Sequence, residues 1–254
     1  MFMEERHAAI LEIIAEKGSI TTAEIQERFS VSYDSAKRDL RILEEAGKLR
    51  RTHGGAIPLG DLTQFSSRKS EPSAFSEDEC ARIARYAASL IKEGELIFLP
   101  CERIGELIAQ SLARTLSLRV VTGSITIAQM LRRREGVSVI LTGGEVDTNG
   151  CCHDSFSAEI LKRFRFDKVF LSTDAVSADF GVSVRDIQSV AYYAAAIEGA
   201  KKVIGLYPSE RVGAEASVSV CKASRLDAVL TGGAVPDGVR RAFDECGVSV
   251  VECE

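Results

Sequence analysis

The apolar positions in the first 45 residues repeat at helical spacing in three separate segments. They predict a helix over 4–17, a short second helix that opens at Thr21, and a third helix that begins at Ser32 and ends at Gly47. Thr21 and Glu24 have the spacing of a capping box, and Ser32 is a favourable N-cap residue. The predicted inward-facing positions are Ile10, Leu11 and Ile14 in the first helix, Ile25 and Phe29 in the second, and Ala36, Leu40 and Leu43 in the third.

A loosely alternating segment follows from Lys48 to Ile57 and contains the adjacent glycines Gly54 and Gly55. This pattern predicts a small two-stranded hairpin. Three short helices followed by a hairpin are typical of a winged helix-turn-helix. We therefore expect an N-terminal domain of this type over residues 1–59.

The pattern changes after a polar segment. Residues 60–75, GDLTQFSSRKSEPSAF, contain glycine, proline and serines without an apolar period, which predicts a linker. From 76 to 254, apolar strand-like runs alternate with helical segments, which predicts an α/β domain with a largely parallel sheet covered on both faces. The predicted strands are ELIFLP, LRVVTG, VSVILTGG, DKVFLST, KKVIGLY, LDAVLTG and VSVVE, and the predicted helices lie near 77–92, 104–114, 124–134, 155–164, 186–199 and 237–246.

The composition is that of an ordinary globular protein, with 45% hydrophobic and 27% charged residues. No apolar run approaches the ~18 residues of a membrane span, and the polar, acidic N-terminus lacks the features of a signal peptide. The seven cysteines are odd in number and scattered, which predicts reduced thiols in a cytoplasmic protein.

Residues 32–58 concentrate positive charge in a chain whose formal net charge is -5. A solvated helix face with i, i+4 ion pairs is one explanation for these cations. The predicted cap, turn and basic hairpin favour another, in which the third helix enters the major groove of DNA and the hairpin contacts the backbone as a wing. The candidate DNA-binding residues are Thr21, Thr22, Ser32, Tyr33, Asp34, Ser35, Lys37, Arg38 and Arg41 on the helices and Arg50, Arg51, Thr52, His53 and Gly54 on the wing.

Residues 4–58 resemble the N-terminal domain of the DeoR family of bacterial transcriptional regulators. The most specific matching runs are Arg38-Asp39-Leu40 and Arg51-Thr52-His53-Gly54-Gly55-Ala56. The family usually has threonine at the position of Ser35 and arginine at that of Lys37. A phosphate contact survives both changes, whereas a bidentate base contact by arginine does not survive replacement by lysine.

Residues 77–252 resemble, more weakly, the effector domain of the same family, a Rossmann-like fold related to ribose-5-phosphate isomerase and the CoA transferases. The resemblance implies a sugar-phosphate site at the strand ends, but the motifs differ. An Asp-x-Gly-Thr-Thr-like loop is replaced by Pro100-Cys101-Glu102-Arg103, Thr-Asn-Ser by Thr122-Gly123-Ser124, and Asp-Ser-Ser-Lys by Tyr207-Pro208-Ser209-Glu210. The candidate effector-binding residues are Cys101, Glu102, Arg103, Thr122, Gly123, Ser124, Gly143, Gly144 and Glu210.

These differences disfavour phosphate binding. A phosphate dianion requires backbone amides and usually a cation, whereas Pro100 has no amide hydrogen and Glu102 and Glu210 are negative. Arg103 supplies one positive charge if it faces the strand ends. Three alternatives stay open: a sugar phosphate, another small molecule with a cationic or neutral polar group, and a domain that has lost its ligand and serves only assembly.

No other cluster in the sequence predicts catalysis or a bound cofactor. Cys151, Cys152 and His153 are metal-capable, but adjacent cysteines do not easily chelate one tetrahedral ion. A loop of chance composition is favoured there, with redox sensing as the alternative. Three acids lie near predicted strand ends without a catalytic motif around them: Glu102, Glu145 and Asp174. We therefore expect no catalytic residue, no metal site and no cofactor.

The sequence predicts a cytoplasmic, DNA-binding transcriptional regulator, and the resemblance implies a repressor of a metabolic operon that a small metabolite modulates. Its expected partners are a double-stranded DNA operator, a small metabolite effector and further copies of itself. One winged helix has a small footprint, so a homo-dimer or tetramer on repeated half-sites is expected. An enzyme of the sugar-phosphate isomerase or CoA-transferase type is the less favoured alternative.

Limited proteolysis tests the predicted domain organisation of 1–59, 60–75 and 76–254. We expect the first cuts between residues 60 and 75, because this segment has few apolar residues to bury, and a stable fragment that contains 77–252. Mass spectrometry of the fragments locates the cuts. First cuts inside 95–252, with the linker intact, would contradict this organisation.

Overall fold

The computed structural model describes residues 3–17, 20–45, 48–52, 55–58 and 77–254. Contacts divide the chain into two compact units, residues 1–65 and 66–254. The predicted linker over 60–75 lies outside the described residues. Within the described ranges, no helix is long and apolar enough to cross a membrane.

The N-terminal unit has the elements of a winged helix-turn-helix. They are α1 (Met3–Lys17), β1 (Ile20–Thr21), α2 (Thr22–Phe29), α3 (Tyr33–Glu45), β2 (Leu49–Thr52) and β3 (Gly55–Pro58). The strands pair antiparallel in the order β1-β3-β2. The three predicted helices and the hairpin are confirmed, while β1 is an addition, because a two-residue strand has no periodic pattern to detect.

The apolar stripes of the three helices meet in one core, as the sequence predicts. The fully buried members include Ile10, Ile14, Ile25, Ala36, Leu40 and Leu43, with Leu11 and Phe29 partly buried against them. The capping box of α2 is confirmed, since Glu24 N donates to Thr21 Oγ1 at 3.1 Å and Thr21 N donates to Glu24 Oε2 at 2.8 Å. Ser32 likewise accepts from Ser35 N at 3.2 Å at the start of α3.

A buried carboxylate joins α3 to α1. Asp39 is 2% exposed and accepts hydrogen bonds from Arg6 Nε at 2.7 Å and Arg6 Nη2 at 3.1 Å. His7 Nε2 lies 2.9 Å from the same carboxylate. Burial raises the pKa of Asp39, but the hydrogen bonds and charges of Arg6 and His7 outweigh burial, so the pKa lies below its ordinary value. These bonds fix the orientation of α3 on α1.

The C-terminal unit is built on a seven-stranded parallel sheet in the order β13-β12-β10-β7-β4-β5-β6. Its strands are β4 (Leu96–Leu99), β5 (Leu118–Thr122), β6 (Val137–Leu141), β7 (Lys168–Leu171), β10 (Val203–Leu206), β12 (Ala228–Thr231) and β13 (Ser249–Glu252). Its helices are α4 (Glu77–Ser89), α5 (Arg103–Ser111), α6 (Ile125–Leu131), α7 (Ser155–Leu161), α8 (Val190–Glu198) and α9 (Asp237–Glu245).

Both faces of this sheet are covered, as the continuous apolar strands predict. In β4, Leu96 and Phe98 belong to one core, which includes residues of α7 and α8. Ile97 and Leu99 point the other way, into a second core with residues of α4, α5 and α6. The predicted α/β architecture is therefore confirmed.

The sequence analysis did not predict a small antiparallel sheet. Its strands β8 (Ala175–Ser177), β9 (Gly181–Val184) and β11 (Val218–Cys221) pair in the order β11-β9-β8. The strands are only three or four residues long, too short to show an alternating pattern.

The predicted helix over 186–199 is a 3-10 turn, Ile187–Ser189, followed by α8.

We predict that Asp39→Ala destabilises the N-terminal unit by about 3 kcal/mol, because it leaves Arg6 partly buried without its counter-charge. Hydrogen exchange of α1 and α3 peptides in the full chain measures the loss. Asp34→Ala, at an exposed position of the same helix, is the control and changes exchange little. Equal protection in both variants would contradict a stabilising role for Asp39.

The direction of the Asp39 pKa shift also predicts a pH dependence. A carboxyl with a lowered folded-state pKa stabilises the fold fully above its unfolded pKa of about 3.9, and this stabilisation is lost as the pH falls through the folded value. Protection of α1 and α3 should therefore fall in acid more steeply for the parent than for Asp39→Asn.

Candidate DNA-binding surface and strand-end site

One side of α3 is exposed and carries most of the candidate DNA-binding residues. Tyr33, Asp34, Lys37, Arg38 and Arg41 are exposed and, at 100° per residue, share one arc of the helix that adjoins Leu40 at Tyr33 and lies opposite Ala36 and Leu40 at Arg38. We call these five residues the exposed arc of α3. Lys37 Nζ lies 4.5 Å from the centroid of the Tyr33 ring, a cation–π contact that orients the ammonium group.

The remaining candidates near α3 differ in how much surface they offer. Thr21 and Ser32 are exposed and Ser35 is partly exposed. Thr22 is 6% exposed, so its side chain packs inside the unit and offers DNA almost no surface. The first turn of α2 directs this residue toward the core, and its contact with DNA stays a prediction.

Arg51 is the wing residue whose side chain is described. Its backbone N donates to Glu44 Oε1 at 2.9 Å, and its Nη1 lies 3.8 Å from Glu44 Oε2. Both side chains are more than a third exposed, so this ion pair is weak and can be exchanged for a phosphate contact. The side chains of Arg50 and Thr52, and all of His53 and Gly54, lie outside the described residues.

In the C-terminal unit, the loops that follow β4, β6 and β7 meet at one edge of the sheet because these strands are parallel. We call Glu102, Thr142, Ser172, Tyr192 and Tyr193 the strand-end site. The first three follow strands, and the two tyrosines lie near the start of α8.

Glu102 is the charged member of the strand-end site. Tyr193 OH donates to Glu102 Oε1 at 2.7 Å, whereas Glu102 Oε2 is buried and has no hydrogen-bond partner among the described residues. Burial raises the pKa of Glu102, and the hydrogen bond from Tyr193 offsets only part of this rise. Burial and the nearby Glu102 also raise the pKa of both tyrosines, so they are neutral donors at ordinary pH.

Arg103 forms ion pairs with Glu77 and Glu106, and the pair with Glu77 is largely solvated, as the pair of Arg51 is. Arg103 Nη2 and Nε donate to Glu77 Oε1 at 2.7 and 3.1 Å, and its Nη1 donates to Glu106 Oε2 at 3.1 Å. Two carboxylates of the chain itself therefore balance its charge. A contact of Arg103 with an effector stays a prediction, and it requires an exchange of these carboxylates for the ligand.

The side chains of Thr122 and Ser124 accept hydrogen bonds from backbone amides of the loop after β5 and the start of α6. They are 0% and 2% exposed. Ser124 N donates to Thr122 Oγ1 at 3.1 Å, and Ile127 N donates to Ser124 Oγ at 3.2 Å as the cap of α6. Both hydroxyls are buried and accept hydrogen bonds within this loop, and their contact with an effector stays a prediction.

Gly123 is required because neighbouring groups approach its backbone closely. A Cβ atom there would lie 2.3 Å from Cys152 O and 2.6 Å from Tyr192 OH. The loop after β5 is thus packed directly beneath Tyr192 and the Cys152 backbone, which leaves no room for a side chain.

The other candidate positions lie in loops that follow β4, β6 and β10. Gly143 and Gly144 have φ of 70° and 113°, and Gly143 O accepts from Ser157 Oγ. Glu210 is exposed in a 3-10 turn after β10. A hydrogen bond with Cys151, together with burial, raises the pKa of Cys101 well above its ordinary value, which keeps this thiol protonated.

The loop with Cys151, Cys152 and His153 is packed rather than open. Both cysteines are buried, and the His153 ring lies edge-on to Tyr192 with 6.4 Å between centroids. Across the described residues, no group of three or more metal-capable side chains is arranged to hold a metal ion.

Sequence reasoning missed two sets of residues. Tyr192 and Tyr193 fall in an apolar helix some 90 residues from Glu102, where they resemble ordinary core residues. Glu79 in α4 was also missed, although its Oε2 accepts from Ser209 N at 2.8 Å and its Oε1 from Ser209 Oγ at 3.0 Å. A pair of adjacent tyrosines was the available signal for the first set, and no sequence signal identifies Glu79.

We predict that Gly123→Ala destabilises the C-terminal unit by about 2 kcal/mol, because the new methyl group collides with Cys152 O and Tyr192 OH. Gly238→Ala, in the first turn of α9 with open space around it, is the matched control and is neutral or stabilising by up to about 1 kcal/mol. Thermal unfolding of the two variants measures the difference. Equal melting temperatures would show that the loop has room to move.

Comparison with known proteins agrees with this two-part organisation. Residues 6–59 match the DeoR-like helix-turn-helix domain and residues 76–233 match the DeoR C terminal sensor domain. The glycerol-3-phosphate regulon repressor of Escherichia coli (strain K12) is 29% identical in an alignment that covers 100% of both chains. The transcriptional repressor AccR of Agrobacterium fabrum is 31% identical over 70% of this chain and 69% of that protein.

Among solved structures, ribose 5-phosphate isomerase A from Methanocaldococcus jannaschii aligns with a TM-score of 0.39 and 15% identity, covering 53% of this chain and 54% of that one.

The helix-turn-helix and sensor-domain matches together span most of the chain. The chain therefore belongs to the DeoR family of transcriptional regulators.

Proposed function

We propose that α3 is the recognition helix with which this regulator binds its operator and represses a metabolic operon. The observation that carries the proposal is the exposed arc of α3, where Lys37, Arg38 and Arg41 lie on the side opposite the core. Cations at such positions neutralise phosphates or donate to guanine edges. The net negative charge of the chain does not oppose this, because phosphate contacts depend on local charge.

The wing contributes a phosphate contact through Arg51. Its ion pair with Glu44 is largely solvated, so the exchange of this carboxylate for a DNA phosphate costs little. The backbone amide of Arg51 stays bound to Glu44, which holds the wing against the end of α3 during this exchange. Arg51 therefore positions the wing on DNA but reads no base.

The C-terminal unit is proposed to bind a small metabolite at the strand-end site and to assemble the regulator as a homo-dimer or tetramer. A symmetric assembly presents two recognition helices to repeated half-sites. A metabolite that favours one arrangement of these helices over another changes operator affinity. Since the proposed partner is genomic DNA, the proposed location is the cytoplasm.

An enzyme remains the second candidate, and the buried Glu102 with its raised pKa is the observation that favours it. The curated relatives are named as transcriptional repressors, which supports a regulator that is not an enzyme. Loss of operator binding in α3 variants, with the C-terminal unit intact, decides for the regulator.

We predict that Arg38→Ala weakens binding to a selected operator by at least about fivefold. If Arg38 contacts a base, the loss is roughly 1–3 kcal/mol on the operator and small on random DNA. If it contacts a phosphate, all sequences are weakened alike and the log–log salt slope falls by about one. Arg51→Ala should follow the phosphate pattern. Fluorescence anisotropy at several salt concentrations distinguishes these results.

Arg114→Ala, which removes an exposed arginine of the C-terminal unit, is the matched control and leaves operator affinity unchanged. Circular dichroism confirms that the variants are folded. Parental affinity in both Arg38→Ala and Arg51→Ala would refute the assignment of α3 and the wing, and would favour the enzyme candidate.

A further inference from the structure

Two cysteine side chains from distant parts of the chain meet in the C-terminal unit. Cys101 follows β4, and Cys151 lies 50 positions later, in the loop between β6 and α7. A hydrogen bond joins the two thiols, and Cys151 Sγ lies 4.0 Å from Cys101 O. The sulfur of the neighbouring Cys152 lies 4.0 Å from Gly144 O instead. The fold therefore pairs Cys101 with Cys151.

Backbone hydrogen bonds hold the loop of Cys151 against the loop after β4. Cys151 N donates to Asp147 Oδ1 at 2.8 Å, and Cys152 N donates to Gly123 O at 3.0 Å. A Cβ atom at Gly123 would lie 3.2 Å from Cys101 Sγ and 2.3 Å from Cys152 O. The Cys101 thiol and the backbone after Cys151 thus pack against the same glycine. A disulfide requires two cysteines that are held close together, and this packing supplies that condition.

The pair is reached from solvent through Cys101. This residue is partly exposed, whereas Cys151 is 7% exposed. A bulky oxidant such as glutathione disulfide needs a well exposed thiol for its attack. Hydrogen peroxide is small and uncharged, so it meets neither this steric limit nor repulsion from nearby carboxylates. The access to the pair therefore favours a peroxide as the oxidant.

The surroundings of the pair make its oxidation slow. The hydrogen bond with Cys151 and burial raise the pKa of Cys101, and the nearby carboxylates of Glu102 and Asp147 raise it further. Cys101 therefore keeps its proton and donates it in the hydrogen bond, which leaves Cys151 as the nucleophile of the pair. The same carboxylates also oppose a thiolate at Cys151. We expect a reaction over hours at millimolar peroxide, far slower than that of a peroxidase.

We propose that Cys101 and Cys151 are an oxidative modification site, at which a peroxide forms a disulfide that ties the loop after β4 to the loop before α7. The redox role that the sequence left open for Cys151 and Cys152 thereby falls to Cys151 and the distant Cys101. The inference depends neither on the proposed DNA contacts of α3 nor on the identity of an effector.

The chemistry takes two steps. The Cys151 sulfur attacks one oxygen of the peroxide, an S–O bond forms and the O–O bond breaks, and the released hydroxide takes the Cys151 proton to become water. The Cys101 sulfur then attacks the sulfur of this sulfenic acid, the S–S bond forms and the S–O bond breaks, and the hydroxyl group leaves as water with the Cys101 proton. Two thiols are oxidised by two electrons, and one hydrogen peroxide is reduced to two waters.

Peptide mapping of the full-length protein tests the site. Reduced protein is treated with millimolar hydrogen peroxide for several hours, alkylated and digested with trypsin. Cys101 then lies in the peptide 93–103, and both Cys151 and Cys152 lie in the peptide 135–162. We expect mass spectrometry to find these two peptides linked at least tenfold more often than in untreated protein, and dithiothreitol to separate them. An unchanged level of this linkage would overturn the proposal.

Two serine variants identify the partner of Cys101. Cys151→Ser should abolish the linkage of the two peptides, whereas Cys152→Ser, at the adjacent position, is the matched control and should keep the parental yield. Thermal unfolding of the reduced variants confirms that they are folded. A linkage that persists in Cys151→Ser, or one that disappears in Cys152→Ser alone, would refute the assignment of the pair.

Hydrogen exchange measures whether the bond ties the two loops. A cross-link between residues 50 positions apart restricts local opening, so exchange in 93–103 and 135–162 should slow at least about twofold on oxidation of the parent. Reduction should restore it, and peroxide should leave exchange in Cys151→Ser unchanged. Equal exchange in the oxidised and reduced parent would refute the proposed tie. Failure of operator binding in any of these proteins would bear on the proposed function alone.

Discussion

Burial of both faces of the seven-stranded sheet is the constraint on which the C-terminal unit depends. Successive residues of β4 enter opposite cores, so a central strand such as β4 is apolar and has little room for polar chemistry along its length. Polar side chains are left to the loops at the strand ends. Because the strands are parallel, loops distant in sequence meet at one edge, and this brings Glu102 beside Tyr193.

In the N-terminal unit, a small core holds α3 in place while one side of this helix stays exposed. The apolar stripe of Ala36, Leu40 and Leu43 supplies the packing. Asp39 also fixes the rotation of α3 about its axis, because its carboxylate accepts hydrogen bonds from Arg6 and His7. Hydrogen bonds are directional, whereas apolar contacts constrain this rotation less. The packing and the ion pair together leave the exposed arc pointing away from the core.

Periodicity predicted nearly all of the long elements, because each buries one continuous face or runs through the sheet centre. It failed for β1 and for the sheet of β8, β9 and β11, whose strands are too short to show a period. The sequence pattern placed Glu102 in the loop after β4, which is part of the strand-end site. It could not identify Tyr193 and Glu79, because these residues make contacts with residues distant in sequence. Arg103 illustrates the same limit, since its partner Glu77 lies 26 residues away.

The division of α3 into two sides has an evolutionary consequence. The residues that hold the helix in place, Ala36, Asp39, Leu40 and Leu43, are separate from those that point away from the core. Substitutions at Asp34, Lys37, Arg38 or Arg41 change the surface without opening a cavity or removing the counter-charge of Arg6, so their effect on folding is small. A lineage of such proteins can therefore diversify the sites it recognises on a chromosome while selection for foldability acts on other positions of the same helix.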